Sequence, residues 1–573
     1  MDNKKQKNQF KLFILVLGLF LSLVLCSSAS AADLNGVSHI KNSPLTSINE
    51  LKSVHSNSTI IKTVKKSDVT KKVASTNFPA YYDLRKLGKL PPVELQGIDG
   101  TCWAFAALGS LESSLLPKQK YIFSANNMKN ILSNRYPQGF DRNYNDEGCW
   151  DEATAYFTRY SGPVLSSQDP YNEYSSTSPT GLKPAIHVQN TIILPARNSS
   201  GKMDNNQLKY VIMKYGAVYS LMRYSDSYFN YLTNGYYYNG QLEVNHAIDI
   251  VGWDDNYNKN NFIKTPPGNG AFIIRNSWGS YWGDKGYFYV SYYDKSLANT
   301  DDNVVFMGAE PTSNYDNIYQ YDPFGYVENY GFGKNVGWFS NVFTAKGNEV
   351  LKASSFYVFK PNTSYELYVY LNPTGKNPES GKLVGVKKGI ISTEGYKTIK
   401  LVNAIPLIKN HKFSVVVKLL TPNYNKPITI EYPMSDYSSK ATAKPGESYI
   451  SSNGISWKDM TSVISKANVC LKAFTSGKST NLLTKQIGKS ITSYKNKVSS
   501  TFKVTNKAVV SSVIFDPILS KNKTMVILNS RIMSYTGFTQ TFPIQKTRTV
   551  FTPPIFTLMI ILGGIVNYKK NLK

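Results

Sequence analysis

Gln96-Gly97-Ile98-Asp99-Gly100-Thr101-Cys102-Trp103-Ala104-Phe105 passes from a glycine-rich loop into an apolar run, Ala106 to Leu116, of helical character. The order predicts that Cys102 stands at a helix N-terminus, where unpaired backbone N–H groups and the helix dipole favour thiolate over thiol. A lone buried cysteine is ordinarily a small hydrophobe, so its partners elsewhere in the chain decide the reading.

A thiolate nucleophile needs a base, and the chain has five histidines. His39 and His55 lie near the N-terminus and His411 in a later strand-rich segment, which leaves His187 and His246. His187 lies on an apolar strand, Ala185 to Leu194, and reads as structural. His246 opens Asn245-His246-Ala247-Ile248-Asp249-Ile250-Val251-Gly252-Trp253, a strand pattern ending in a glycine turn. Thirty residues on comes Ile273-Ile274-Arg275-Asn276-Ser277-Trp278-Gly279. Its amide suits an imidazole orienter, and its indole suits a shield against water.

Together with Asp83-Leu84-Arg85 after Phe78-Pro79, these blocks resemble the papain-like cysteine peptidases in four signatures and in the right order. Cys102 and His246 are 144 residues apart and Cys102 and Asn276 are 174, which fits one domain of about 220 residues over 78–295. The resemblance implies that Cys102 is the nucleophile, His246 the general base and Asn276 its orienter. It also implies that Gln96 offers a side-chain amide opposite the Cys102 backbone N–H to the oxyanion, and that Trp278 is a hydrophobic cover at the substrate site. The family usually carries a cysteine three residues before the nucleophile, disulfide-linked to the loop lining the cleft; here that position is Asp99. Gly148 and Cys149, in Asp146-Glu147-Gly148-Cys149-Trp150, fall in what resembles that loop and are expected to line the substrate site, with Cys149 remaining a thiol.

Beyond Lys295 the pattern changes to short β-type runs separated by Gly, Pro and Asn turns, among them Ser354 to Phe359, Tyr365 to Leu371 and Phe413 to Val417. A β-sandwich over 316–476, after a linker 296–315, is the economical reading. With Gly446 to Ser452 and Ser456-Trp457, it resembles the lectin-like domain that follows the peptidase in some prokaryotic surface cysteine proteases. The expected fold class is therefore α+β: a two-lobed papain-like unit, helical lobe plus β-barrel-like lobe, followed by an all-β sandwich.

The termini read differently. Lys4, Lys5, Lys7 and Lys11 precede an apolar run from Leu12 to Leu25 and the small residues Ala29-Ser30-Ala31, which reads as a signal peptide over 1–31. Residues 32–77 form a short polar leader expected to act as a propeptide. The formal net charge of +27 is uneven: residues 478–573 carry 15 basic residues against the single acid Asp516. This excludes a basic enzyme surface built for nucleic acid and points instead to a cationic C-terminal region, 477–573, drawn to an anionic wall or membrane face. That region also carries an apolar run, Ile555 to Val566, shorter than the ~20 residues that span a bilayer.

No metal-ligand cluster or cofactor motif is apparent, so none is expected. The expected function is a secreted or surface cysteine endopeptidase acting on cell-surface or wall proteins, with wall polysaccharide as a further partner through the sandwich and the basic region. Two alternatives share these features: a wall-binding or adhesive protein with an inactive peptidase module, and an isopeptidase or amidase of wall cross-links. Intact Gln96, Cys102, His246 and Asn276 argue against the first.

Overall fold

The computed structural model describes residues 76–198, 203–300, 302–477, 513–520 and 523–530. The expected signal peptide, nearly all of the expected leader and most of the basic region, Ile555 to Val566 included, lie outside the described residues. Helix α1 (Cys102–Leu115) buries 13 of its 14 residues. Its first eight residues are apolar, and the buried Ser110, Glu112 and Ser113 of its second half bond to the backbone groups of Ala217, Phe123 and Lys89 respectively, so the helix has no solvent side to present. Around it lie α2 (Ala125–Ile131) and α3 (Trp150–Thr158), which with α1 make the helical lobe. Trp103, Phe105, Phe123, Tyr156 and Phe157, all almost fully buried, fill the space between them, each side chain worth ~1.5–3 kcal/mol of apolar burial.

The second lobe is an antiparallel sheet. Val218–Met222, His246–Asp254, Ala271–Arg275 and Tyr287–Ser291 lie side by side in that order. Eight of the nine residues of His246–Asp254 are buried, because the strand is covered on one face by α1 and on the other by α4 (Asn206–Tyr215). Asn303–Met307 enters this sheet between Asn190–Leu194 and Val218–Met222. The stretch 296–315, expected to be a linker, is thus in part an interior strand: Val304, Val305 and Phe306 are fully buried, and an apolar run beside two open strand edges pairs rather than spans.

The all-β part is a sandwich. One layer runs Lys382–Ile391, Thr363–Leu371, Lys412–Leu420, Val336–Thr344, Ser448–Ser451, Lys458–Asp459, and the facing layer contains Glu349–Val358, Gly395–Leu407 and Leu471–Ser476. Phe339, Phe343, Leu367, Val415 and Val417 point inward from the first layer to meet Leu351, Phe356 and Ala473 from the second.

The two parts are not beads on a string. Asn190 pairs with Lys397, so the sheet continues from one part into the other. Phe140 meets Phe324 edge-on at 5.1 Å and Tyr437 at 5.0 Å. Arg159, 4% exposed, donates from Nη1 to the carbonyls of Gln138 (2.7 Å) and Pro323 (3.0 Å). Val513–Ser520 and Lys523–Ser530 form a separate antiparallel hairpin. Among the described residues, no helix is long and apolar enough to cross a membrane.

Candidate active site

Cys102 is the first residue of α1, and Thr101 is the N-cap. Thr101 does not cap with its side chain, because its hydroxyl is shared with Tyr171 Oη at 2.9 Å. The opening amides of the helix are therefore left for the thiol: Trp103 and Cys102 itself, with Ala247 from the sheet lobe, supply backbone hydrogen bonds that favour the thiolate. Burial acts the other way and is larger, pushing the Cys102 thiol up to about 12. The helix terminus is where the sequence places it, and burial there opposes the thiolate that the backbone hydrogen bonds favour.

His246 begins its strand at the mouth of the sheet and is 6% exposed. Its Nε2 lies 2.8 Å from Asn276 Oδ1, which also accepts from the Ser277 amide at 2.9 Å. A carbonyl oxygen only accepts, so Nε2 carries the proton and Nδ1 has the lone pair. Burial lowers the imidazole to about 4, opposed by the hydrogen bond that it donates to Asn276. Trp278 lies over the ring, centroids 4.7 Å apart and planes 27° apart. It is wedged in turn by Tyr224 at 4.7 Å and Trp282 at 4.9 Å, both edge-on.

Gln96 joins the lobes. Its Oε1 accepts from Ser277 Oγ at 2.6 Å, its backbone N–H donates to the Ser277 carbonyl at 2.8 Å, and its Nε2 donates to the Asp99 carbonyl at 2.7 Å. The Asp99 carbonyl fixes which end of the amide is nitrogen, since an oxygen there would face an oxygen. One Nε2 hydrogen remains for a further acceptor.

A buried ion pair ties these pieces together. Asp249, three residues after His246, stands opposite Arg275, the residue before Asn276, with Nη1 and Oδ2 3.1 Å apart. Burial raises Asp249 to about 7 despite the guanidinium. Helix α1 crosses this pair at Gly109, where an added Cβ would lie 2.2 Å from Asp249 Oδ2 and 2.6 Å from Arg275 Nη1. The absence of one side chain lets the helix bearing Cys102 rest on the strands bearing His246 and Asn276.

Gly148 and Cys149 lead into α3, with Cys149 at its N-cap position and 9% exposed. Cys149 forms no disulfide. A Cβ on Gly148 would lie 2.5 Å from the Trp103 indole, so this glycine is required by packing beside the residue that follows Cys102. Glu147 faces Cys102 electrostatically, and burial first, then Asp146, raises its carboxyl to about 7. Its anion opposes ionisation of the thiol. Glu147→Gln is expected to lower the pH midpoint of Cys102 alkylation by roughly half a unit, with the gain confined above pH ~7. A midpoint that stays or rises would show that the two groups do not interact.

The structure joins Gln96, His246, Asn276 and Trp278 through Ser277 and ring contact, with Cys102 beside Ala247, the residue after His246, and it sets Gly148, next to Cys149, against Trp103, the residue after Cys102. His187 is elsewhere, stacked on Tyr160 at 3.7 Å and bonded to Asn314 at 2.6 Å. Sequence reading missed Lys129, Tyr171, Asp249, Arg275 and Gly109. Only Asp249 and Arg275 carried a signal, as charges within otherwise apolar strands.

Residues 78–307 match the papain family of cysteine proteases, and residues 318–475 match the lectin like domain family. The first segment is a papain-family cysteine protease domain, and a lectin-like domain follows it. Among solved structures, the clostridial cysteine protease Cwp84 after propeptide cleavage is 28% identical, covering 69% of this chain and 99% of that one at a TM-score of 0.62. A second structure, of the cysteine protease and lectin-like domains of Cwp84, a surface layer associated protein of Clostridium difficile, is 27% identical over 70% and 89% at 0.61. A cysteine protease of Blomia tropicalis is 31% identical over 227 residues, 39% of this chain, and mouse cathepsin K is 28% identical over 217, 36% of it. The chain spans 63% and 58% of the length of those two relatives.

Proposed function

We propose that the chain is a cysteine endopeptidase that cleaves peptide bonds through an acyl-thioenzyme. The observation that carries this reading is the pairing of His246 Nε2 with Asn276 Oδ1, which leaves Nδ1 the basic nitrogen of the cleft. In this mechanism Cys102 Sγ attacks the scissile carbonyl carbon while His246 Nδ1 takes the thiol proton. The carbonyl oxygen becomes an oxyanion held by the remaining Gln96 Nε2 hydrogen and the Cys102 backbone N–H. His246 then passes its proton to the leaving amine, and water, activated by the same imidazole, hydrolyses the thioester. Burial disfavours the charged form of both Cys102 and His246.

The substrate is proposed to be a cell-surface or wall protein, reached after export on the N-terminal signal and release of the leader near Phe78. A wall polysaccharide is the proposed partner of the lectin-like domain, and an anionic wall or membrane face that of the basic region. An isopeptidase or amidase cutting wall cross-links would use the same nucleophile. One experiment separates these readings: the full chain is treated with an epoxide thiol inhibitor, the labelled residue is mapped, and hydrolysis is measured on surface protein and on purified wall. Labelling at Cys102 with release of peptides from protein is expected. Release of cross-link fragments from wall alone would select the amidase, and no labelling or hydrolysis of either would leave the adhesive reading.

A further inference from the structure

The loop that bears Gln96 is held by a cation. Lys129 on α2 is fully buried, and its Nζ lies 2.8 Å from Asp99 Oδ2 and 3.1 Å from the Glu173 carbonyl. The faces of Tyr144 and Tyr171 flank it at 4.8 and 5.3 Å. Asp99 is the residue whose carbonyl aims Gln96 Nε2. The same cluster grips the loop at three further points: Glu173 Oε2 accepts from the Ile98 amide at 2.8 Å, Tyr171 Oη donates to the Gln96 carbonyl at 2.7 Å, and the Gly97 backbone packs on the Glu173 carboxylate. Gly97, at φ +66°, makes that last contact possible, since a Cβ there would lie 1.7 Å from Glu173 Oε2.

Position 99, where the papain-like resemblance implies a disulfide-linked cysteine, holds Asp99 in this chain. We propose that Lys129 is a positioning residue: its ammonium fixes Asp99, and Asp99 fixes the Gln96 amide as oxyanion donor, so that a buried ion pair does the work of a covalent tether. This rests on the proteolytic reading of the site. An ion pair sealed from water is weakened severely when one partner is removed, because the other charge is left uncompensated. The loop then relaxes, and a donor misplaced by a fraction of an ångström loses most of its value in the transition state.

The test uses the mature full-length protein and the variant Lys129→Met, which keeps chain length without charge. Three quantities are read: kcat and KM on a peptide substrate, affinity for a peptide aldehyde whose thiohemiacetal oxygen occupies the oxyanion position, and the rate of Cys102 alkylation by iodoacetamide, which needs no oxyanion donor. Expected are a fall in kcat of about 30-fold, an equal fall in aldehyde affinity, and KM and alkylation within about three-fold of wild type. In a Gln96→Ala background Lys129→Met is expected to cost little further in kcat, because both act through one amide. Asp99→Asn gives a second route to the same cycle should Lys129→Met fold poorly. Equal losses in turnover and alkylation, unchanged aldehyde affinity, or penalties that multiply in the Gln96→Ala background would overturn the assignment. A wild-type chain that neither cleaves peptides nor captures the aldehyde would instead overturn the proteolytic reading, and the tether with it.

Discussion

Cys102→Ala is expected to abolish peptide hydrolysis and covalent labelling while leaving the fold intact. Removing the nucleophile of a nucleophile–base pair costs about 10⁶ in turnover, which places the variant below detection. Gln96→Ala is expected to behave differently: it keeps the nucleophile and the base, so it is still labelled, yet loses roughly 100-fold in turnover through the missing oxyanion donor. On the proposed mechanism, His246 sets the acid limb of the wild-type profile. Its imidazole accepts the thiol proton only while neutral, which holds above its lowered value of about 4. Stability follows the same group. The unfolded chain protonates this histidine below ~6.5, and the folded chain refuses the proton until about 4, so its contribution is full above ~6.5 and is lost as pH falls through that window. Measured turnover in Cys102→Ala would end the assignment of the nucleophile.

Gly109→Ala is the second large effect, and its sign is opposite to the ordinary one. In an exposed helix interior this change stabilises by ~1 kcal/mol. Here the new methyl group would enter the Asp249–Arg275 pair at 2.2 and 2.6 Å. Neither side chain is free to withdraw: Asp249 and Arg275 are 1% and 3% exposed, and Arg275 Nη2 is held by the Pro92 carbonyl at 2.7 Å. Separating a buried pair costs ~3–5 kcal/mol, so a net destabilisation of about 2–4 kcal/mol is expected in denaturant unfolding. Activity should fall further than stability at a temperature where the variant remains folded, because α1 must lift from the strands that set His246 and Asn276. Equal or greater stability in Gly109→Ala would show that the helix has room to shift.

The same contrast explains what was legible in the sequence. Cys102, His246 and Asn276 each stand at the boundary of an element, and boundaries are written locally: Gly-Thr before a helix, Asn-His opening an apolar strand, Asn-Ser-Trp-Gly closing one. Gly109 and Lys129 act through residues 140, 166 and 30 positions away, at Asp249, Arg275 and Asp99, and nothing local distinguishes them from a helix defect and a solvated lysine. The stretch 296–315 misled because its polar flanks resemble a connector, while the five residues Asn303–Met307 close a gap in a sheet that only the fold creates. Gly148 was expected to line the substrate site, and what its lack of a side chain admits is the Trp103 indole, a contact 45 residues away in sequence.

The seam between the two domains includes a shared strand pairing beside its aromatic and Arg159 contacts. Asn190 pairs with Lys397, Tyr396 N–H donates to Thr191 Oγ1 at 2.9 Å, and Lys397 Nζ and Thr398 Oγ1 donate to the carbonyls of Thr191 and Gln189, both at 2.7 Å. A catalytic domain on a flexible leash sweeps a volume set by the leash and meets targets in any orientation. A domain sharing a sheet with its neighbour sweeps nothing. On the proposed function, with the lectin-like domain seated on a surface, the site is presented at one height and one angle, so reach becomes a selection rule: identical sequences are expected to be cut or spared according to how far they stand from that surface.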